Sequence, residues 1–242
     1  VKSPNPEDKE GFEIAIKMAK ENDVDVIIGT DPDCDRVGIV VRDADGIYRT
    51  LTGNQTGALL VEYILSSKKA KGTLPENGVV IKTIVTTELA AAIAHSYGIE
   101  IMNVLTGFKY IGEKMTEFAK TGDHTYLIGF EESYGYLVGT HARDKDGVVA
   151  TMLIAEMAAY YKTKGKSLYE ALMDIYKKYG YYSEKTVSFV MPGKDGMEKM
   201  SQLLTDLRQT PPTKVAGMDV VLYTDYQSPV SYTHLTLPTI LR

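Results

Sequence analysis

The chain has 242 residues, 44% hydrophobic and 24% charged, and a net charge of −5 at neutral pH. That is enough apolar material for one large or two ordinary packed domains, and dispersed charge with a small acidic excess excludes the basic surface of a general nucleic-acid binder, although a local Arg or Lys cluster can still hold a small anion. Cys34 is the single cysteine, so an internal disulfide is excluded; with no apolar run of membrane-span length and no signal-like N-terminus, the sequence predicts a cytoplasmic protein without nucleic-acid or membrane partners.

Position 1 is a valine and Ser3-Pro4-Asn5-Pro6-Glu7 is loop-like, which reads as a chain entered in its middle. Phe12, Ala15, Ile16 and Ala19 share one helical face and predict a helix over 7–22, followed by a strand over 24–28. The strand runs into Asp31-Pro32-Asp33-Cys34-Asp35-Arg36, in which three carboxylates alternate. Crowded carboxylates repel unless a divalent cation or protons neutralise them, and oxygen-only ligands favour magnesium, calcium or manganese over zinc. Arg36 is then available to a phosphate or a carboxylate. An EF-hand fails, because its glycine and glutamate positions hold Arg36 and Arg42. A phosphatase with a strand-end aspartate nucleophile fits the same pattern, and a solvated acidic turn is the plain alternative. Cys34 reads as a small spacer.

Strands over 37–41 and 47–51 flank Asp43-Ala44-Asp45-Gly46, a hairpin signal. Beyond them the pattern predicts a helix over 55–66, a strand over 79–85, a helix over 88–97, a strand over 100–105, a helix ending near 120 and a strand over 126–130. Such alternation argues for an α/β fold with mainly parallel mixed sheets sandwiched by helices, whose ligands bind in loops at the carboxyl ends of strands.

Two loops fall there. Thr106-Gly107-Phe108-Lys109 offers a hydroxyl, an open backbone N–H and a cation for an anionic ligand, or is a helix cap followed by a solvated lysine. Gly129-Phe130-Glu131-Glu132-Ser133-Tyr134-Gly135 places carboxylates and a hydroxyl at a strand end, which suits a polyol, or is a surface turn with Ser133 as a cap. His141-Ala142-Arg143-Asp144-Lys145-Asp146-Gly147 precedes a helix over 148–161; its cations suit phosphate binding or proton movement, although exposed charged turns have the same composition.

In this order the loops resemble the α-D-phosphohexomutase superfamily, in particular its bacterial phosphoglucomutase/phosphopentomutase type, from about residue 5 to about residue 226. The resemblance implies four α/β domains around one cleft. Here 1–51 would close the second domain and carry the metal loop, 52–181 would be the complete third domain, 182–228 would begin the fourth, and 229–242 does not resemble the family. It implies magnesium-dependent interconversion of glucose 1-phosphate and glucose 6-phosphate through a phosphoserine and glucose 1,6-bisphosphate. The phosphoserine loop and the fourth-domain phosphate loop would lie outside this chain, leaving an inactive binder of magnesium and hexose phosphate. By resemblance Asp31, Asp33 and Asp35 hold the metal, Arg36 assists at the transferring phosphate, and Lys145, with His141, is the acid/base or phosphate contact. Thr106, Gly107, Lys109, Glu131, Ser133 and Arg143 bind substrate. A base role for Lys145 requires nearby cations or burial to depress its pKa. A metal and sugar-phosphate binding module without catalysis remains the reading of a different class.

Overall fold

The computed structural model describes residues 4–184 and 190–226, together with the backbone of 230–233 and 240–241. Its most buried strand is β4 (Gly78–Thr83), every residue of which is shielded from solvent. Its Gly78–Ile81 stretch is the apolar run that a strand covered on both sides favours, and Lys82 and Thr83 at its end are buried polar groups that must be hydrogen-bonded. β5 (Glu100–Val104) and β6 (Thr125–Phe130) pair parallel to its two edges, and β7 (Tyr136–Leu137) adds antiparallel to β6.

Alternate residues of β4 serve the two faces. Val80 packs with Leu59, Ile93, Ile154 and Leu172 from α2 (Gly53–Ala70), α3 (Leu89–Ser96), α5 (Gly147–Thr163) and α6 (Leu168–Tyr179). Val79 and Ile81 face Phe108, Ile111 and Met115 of α4 (Phe108–Thr121). Each such side chain, fully buried, contributes about 1.5–3 kcal/mol. The helices start where side chains satisfy their first N–H groups: Thr52 and Gln55 form a capping box on α2, Ser167 and Glu170 another on α6, and the Asp146 carboxylate accepts from Val148 and Val149 on α5.

The first sheet is antiparallel throughout: β1 (Val26–Thr30) pairs with β2 (Val37–Arg42), and β2 with β3 (Tyr48–Leu51). The predicted hairpin between β2 and β3 is present, with Asp43 Oδ1 accepting from the N–H groups of Asp45 and Ile47 and Oδ2 from Arg49 Nε. The single helix expected over 7–22 is a 3-10 turn (Lys9–Phe12) followed by α1 (Glu13–Glu21). Val37, Ile39, Val41 and Leu51 enter the same core as Val80, so this sheet and the four-stranded one stand in one compact unit, residues 1–183.

Residues 184–242 form a second unit. It contains α7 (Gly193–Gln209), a hairpin of β8 (Lys214–Val215) and β9 (Met218–Asp219), and β10 (Leu222–Asp225). The backbones of β11 (Val230–Thr233) and β12 (Ile240–Leu241) pair with β10; the remainder of the 229–242 segment lies outside the described residues. Among the described residues no helix is long and apolar enough to cross a membrane.

Candidate functional site

Thr30 and Val37 are paired across β1 and β2, so residues 31–36 are the connection of a hairpin. Asp31 closes it. Its Oδ1 accepts from the backbone N–H groups of Asp35 at 3.1 Å and Arg36 at 3.0 Å, and its Oδ2 accepts from Arg36 Nε at 2.7 Å. Burial opposes the Asp31 charge, but these donors outweigh it and hold the carboxyl at about 2. Cys34 turns the loop in a left-handed conformation with φ of 57°, a strain of about 1 kcal/mol for a non-glycine residue. Its place is therefore conformational as well as that of a spacer.

The turn brings Asp31, Asp33 and Asp35 together, with one carboxylate oxygen of each within 4.8 Å of the others. An all-oxygen set at this spacing fits a hard dication such as magnesium, calcium or manganese. Burial raises the Asp35 carboxyl above its ordinary value, with the Asp31 charge adding and Lys145 opposing. Arg36 faces carboxylates: besides Asp31 it reaches Glu7 Oε1 at 3.5 Å, and its guanidinium donates to Asn5 Oδ1 at 3.3 Å.

Lys145 ties this loop to the next. Its Nζ lies 3.0 Å from Asp35 Oδ2 and 3.3 Å from Asp144 Oδ1. Burial would lower the Lys145 pKa, but the Asp35 and Asp144 carboxylates more than offset it and the pKa is raised. The stem of Lys145 crosses Gly135 so closely that a Cβ there would sit 2.2 Å from Lys145 Cδ. The backbone joins the same segments: Arg36 and Gly135 form an isolated antiparallel bridge, Val37 N–H donates to Tyr134 O at 2.9 Å, and Gly147 N–H donates to Cys34 O at 3.0 Å. Tyr134 and Cys34, both left-handed, thus each present a carbonyl to the opposing segment.

In the Glu-Glu-Ser loop, Glu131 is buried and its Oε1 accepts from Gly107 N–H at 2.9 Å. Burial raises the Glu131 carboxyl, with the Gly107 N–H and Lys145 opposing. Ser133 is half-buried at the turn and Thr106 is exposed. The acidic loop, Lys145, Glu131 and Gly107 are therefore linked by a chain of contacts through Gly135.

Other expected residues lie elsewhere. α4 begins at Phe108, so Lys109 sits in a helical first turn, where its ammonium lies 4.8 Å from the Tyr110 ring. Lys109 and Arg143 line an open groove of about 550 Å³ along α4, with Arg143 donating to Thr116 Oγ1 and to the carbonyls of Thr140 and Ala142. His141 Nε2 lies 2.7 Å from Asp146 Oδ2, on the carboxylate that caps α5. Glu132, passed over as a site residue in the sequence, is anchored by Thr83 and Thr86, partners 49 and 46 positions away, a distance no local pattern spans.

Comparison with known proteins shows the family. The model of the phosphoglucomutase/phosphomannomutase α/β/α domain III matches residues 52–179, and that of domain II matches residues 1–46. The chain belongs to the phosphoglucomutase/phosphomannomutase family. Among relatives in this family, it is 37% identical over 228 residues to the phosphoglucomutase of Staphylococcus haemolyticus strain JCSC1435, covering 94% of this chain and 40% of that protein. It is 37% identical over 240 residues to the phosphoglucomutase of Staphylococcus aureus strain MSSA476, covering 99% of this chain and 42% of the relative. The chain thus spans well under half the length of these relatives. The crystal structure of a phosphoglucomutase/phosphomannomutase family protein from Burkholderia thailandensis shares the fold at a TM-score of 0.60 and 18% identity, over 94% of this chain and 46% of that one.

Proposed function

We propose that this chain carries the metal-holding and sugar-holding loops of a phosphohexomutase that interconverts glucose 1-phosphate and glucose 6-phosphate. The observation that carries the reading is the continuous contact from the acidic triad through Lys145 to the loop of Glu131 and Ser133. Asp31, Asp33 and Asp35 would hold magnesium, which when bound supplies positive charge beside a transferring phosphoryl group. Lys145 and Arg36 add fixed cations at the same place, and phosphoryl transfer asks mainly for alignment and charge neutralisation. Glu131 accepts from sugar hydroxyls and Ser133 both donates and accepts, which lets one loop hold a hexose in either orientation.

In this reading residues 1–51 close the metal-loop domain, 52–181 are the sugar-loop domain and 182–228 begin the next. The phosphoryl-carrying serine belongs to another part of the protein, since none of the serines here stands in a Ser-His-Asn-Pro context. The alternative, a phosphatase with a strand-end aspartate nucleophile, differs from this reading in its product, free phosphate. The test is incubation of this chain with magnesium, glucose 1-phosphate and glucose 1,6-bisphosphate. Calorimetric binding of glucose 1-phosphate, with neither glucose 6-phosphate nor free phosphate formed, is expected. Release of free phosphate, or no binding, would refute the reading.

A further inference from the structure

Glu132 lies between the two proposed sugar ligands but turns its carboxylate to the end of β4. Its Oε2 accepts from Thr83 Oγ1 at 3.0 Å and Thr86 Oγ1 at 3.1 Å, and its backbone N–H donates to Thr86 Oγ1 at 3.2 Å. Both threonines are buried, and their hydroxyl oxygens are 2.6 Å apart. Beneath them Lys82, with no exposed surface, donates to the Thr86 carbonyl at 3.0 Å and to Glu88 Oε1 at 2.9 Å. A buried ammonium is costly unless it is paired, and these acceptors pair it. From the other side α2 presses on the loop: a Cβ on Gly53 would sit 2.1 Å from the Glu132 carbonyl oxygen. Glu132 is thus gripped at its side chain, its N–H and its carbonyl, while Glu131 and Ser133 are the residues covalently flanking it.

We propose that Glu132, held by Thr83 and Thr86, is the positioning residue that fixes Glu131 and Ser133 for recognition of sugar hydroxyls. The proposal rests on the sugar-loop reading above. Epimers differ in the direction of one hydroxyl, and discrimination between them requires hydrogen-bonding groups held within roughly 0.5 Å of their working geometry. Two buried hydroxyls, Thr83 at the end of the central strand and Thr86 in the turn that Thr86 N–H closes on the Thr83 carbonyl, provide such an anchor, because β4 is covered on both faces.

The test uses this chain with Thr86→Val, which removes the hydroxyl at nearly constant volume, and Thr86→Ser, which restores it. Hydrogen exchange followed by NMR should accelerate at least tenfold in Thr86→Val at the Gly107 and Glu131 amides, which bond to Glu131 Oε1 and Gly135 O. The amides of Ile39 and Val40 in β2 should keep their wild-type rates, and Thr86→Ser should restore protection. Should Thr86→Val fail to fold, Glu132→Ala gives the same readout and leaves the two hydroxyls to bond each other. In parallel, the ratio of dissociation constants for galactose 1-phosphate and glucose 1-phosphate, measured with magnesium, should fall at least fivefold towards unity. Unchanged exchange at Gly107 and Glu131 would overturn the clamp. Accelerated exchange in a chain whose wild type binds neither sugar phosphate would instead overturn the sugar-loop reading, and the recognition role with it.

Discussion

Replacing Lys145 with methionine keeps most of the stem that crosses Gly135 and removes the ammonium 3.0 Å from Asp35. Among the described residues, that ammonium and the Arg36 guanidinium are the cations in contact with the triad. Opposite unit charges about 4 Å apart are worth ~1 kcal/mol in water and ~4 kcal/mol at an effective dielectric near 20. The side chains of Lys145 and Asp35 are 18% and 30% exposed, so the pair lies between these limits. Solvent screening and side-chain ordering then leave ~1–2 kcal/mol. Without magnesium, Lys145→Met should be less stable than wild type by about that amount. With magnesium the sign reverses for binding, since the ammonium competes with the dication for the same carboxylates. Lys145→Met should therefore bind magnesium about tenfold more tightly, and its stability deficit should narrow as the metal saturates. Calorimetric titration with magnesium, and thermal unfolding in chelator and in saturating magnesium, read both effects. Unchanged or weaker magnesium binding in the variant would refute the placement of Lys145 beside the cation site.

Glu131→Gln keeps an acceptor for the Gly107 N–H but removes a carboxyl whose pKa burial has raised, with Gly107 and Lys145 opposing. The folded chain holds that proton more tightly than the unfolded chain does. Glu131 thus costs stability as pH rises from the unfolded value near ~4.3 through the folded one. The variant should melt higher than wild type at neutral pH and bind glucose 1-phosphate at least tenfold more weakly, as melting curves across pH and calorimetry would register. Asp146→Ala removes the cap of α5 and should cost ~1 kcal/mol at neutral pH. The His141 hydrogen bond and the Val149 and Val148 N–H groups lower the Asp146 carboxyl against the opposing effect of burial, so its contribution is complete above about pH 4 and lost as pH falls through the folded value. Denaturant curves of this variant and wild type should converge in acid. Cys34→Val puts a β-branched side chain at φ of 57° and should destabilise by ~1–2 kcal/mol, whereas Cys34→Gly should be neutral or stabilising by urea denaturation.

Much of the site was legible in the sequence because its chemistry is local. Alternating carboxylates after an apolar strand announce the triad, and Asp43-Ala44-Asp45-Gly46 announces the hairpin that Asp43 braces. Less legible were features decided by distant partners. β1 follows α1 and runs into the acidic loop as expected, but its antiparallel pairing with β2 across that loop is disguised by aspartates that look like ligands rather than turn residues. Helix α6 went unread, although Ser167 and Glu170 spell its capping box, and Thr52 with Gln55 would have set the start of α2 two residues earlier than expected. The resemblance assigns the metal and sugar loops to different domains. Gly135 and Gly147 instead allow Lys145 and the backbone of Cys34 to approach so closely that the loops are joined.

The most direct measurement is turnover of the full-length protein that carries this chain, supplied with magnesium and glucose 1,6-bisphosphate. Conversion of glucose 1-phosphate to glucose 6-phosphate is expected, with loss of at least a hundredfold in Asp33→Asn and in Ser133→Ala while both variants keep the wild-type fold by circular dichroism. Free phosphate as the product, or undiminished turnover in Asp33→Asn, would contradict the assignment of these two loops to phosphoryl transfer on a hexose.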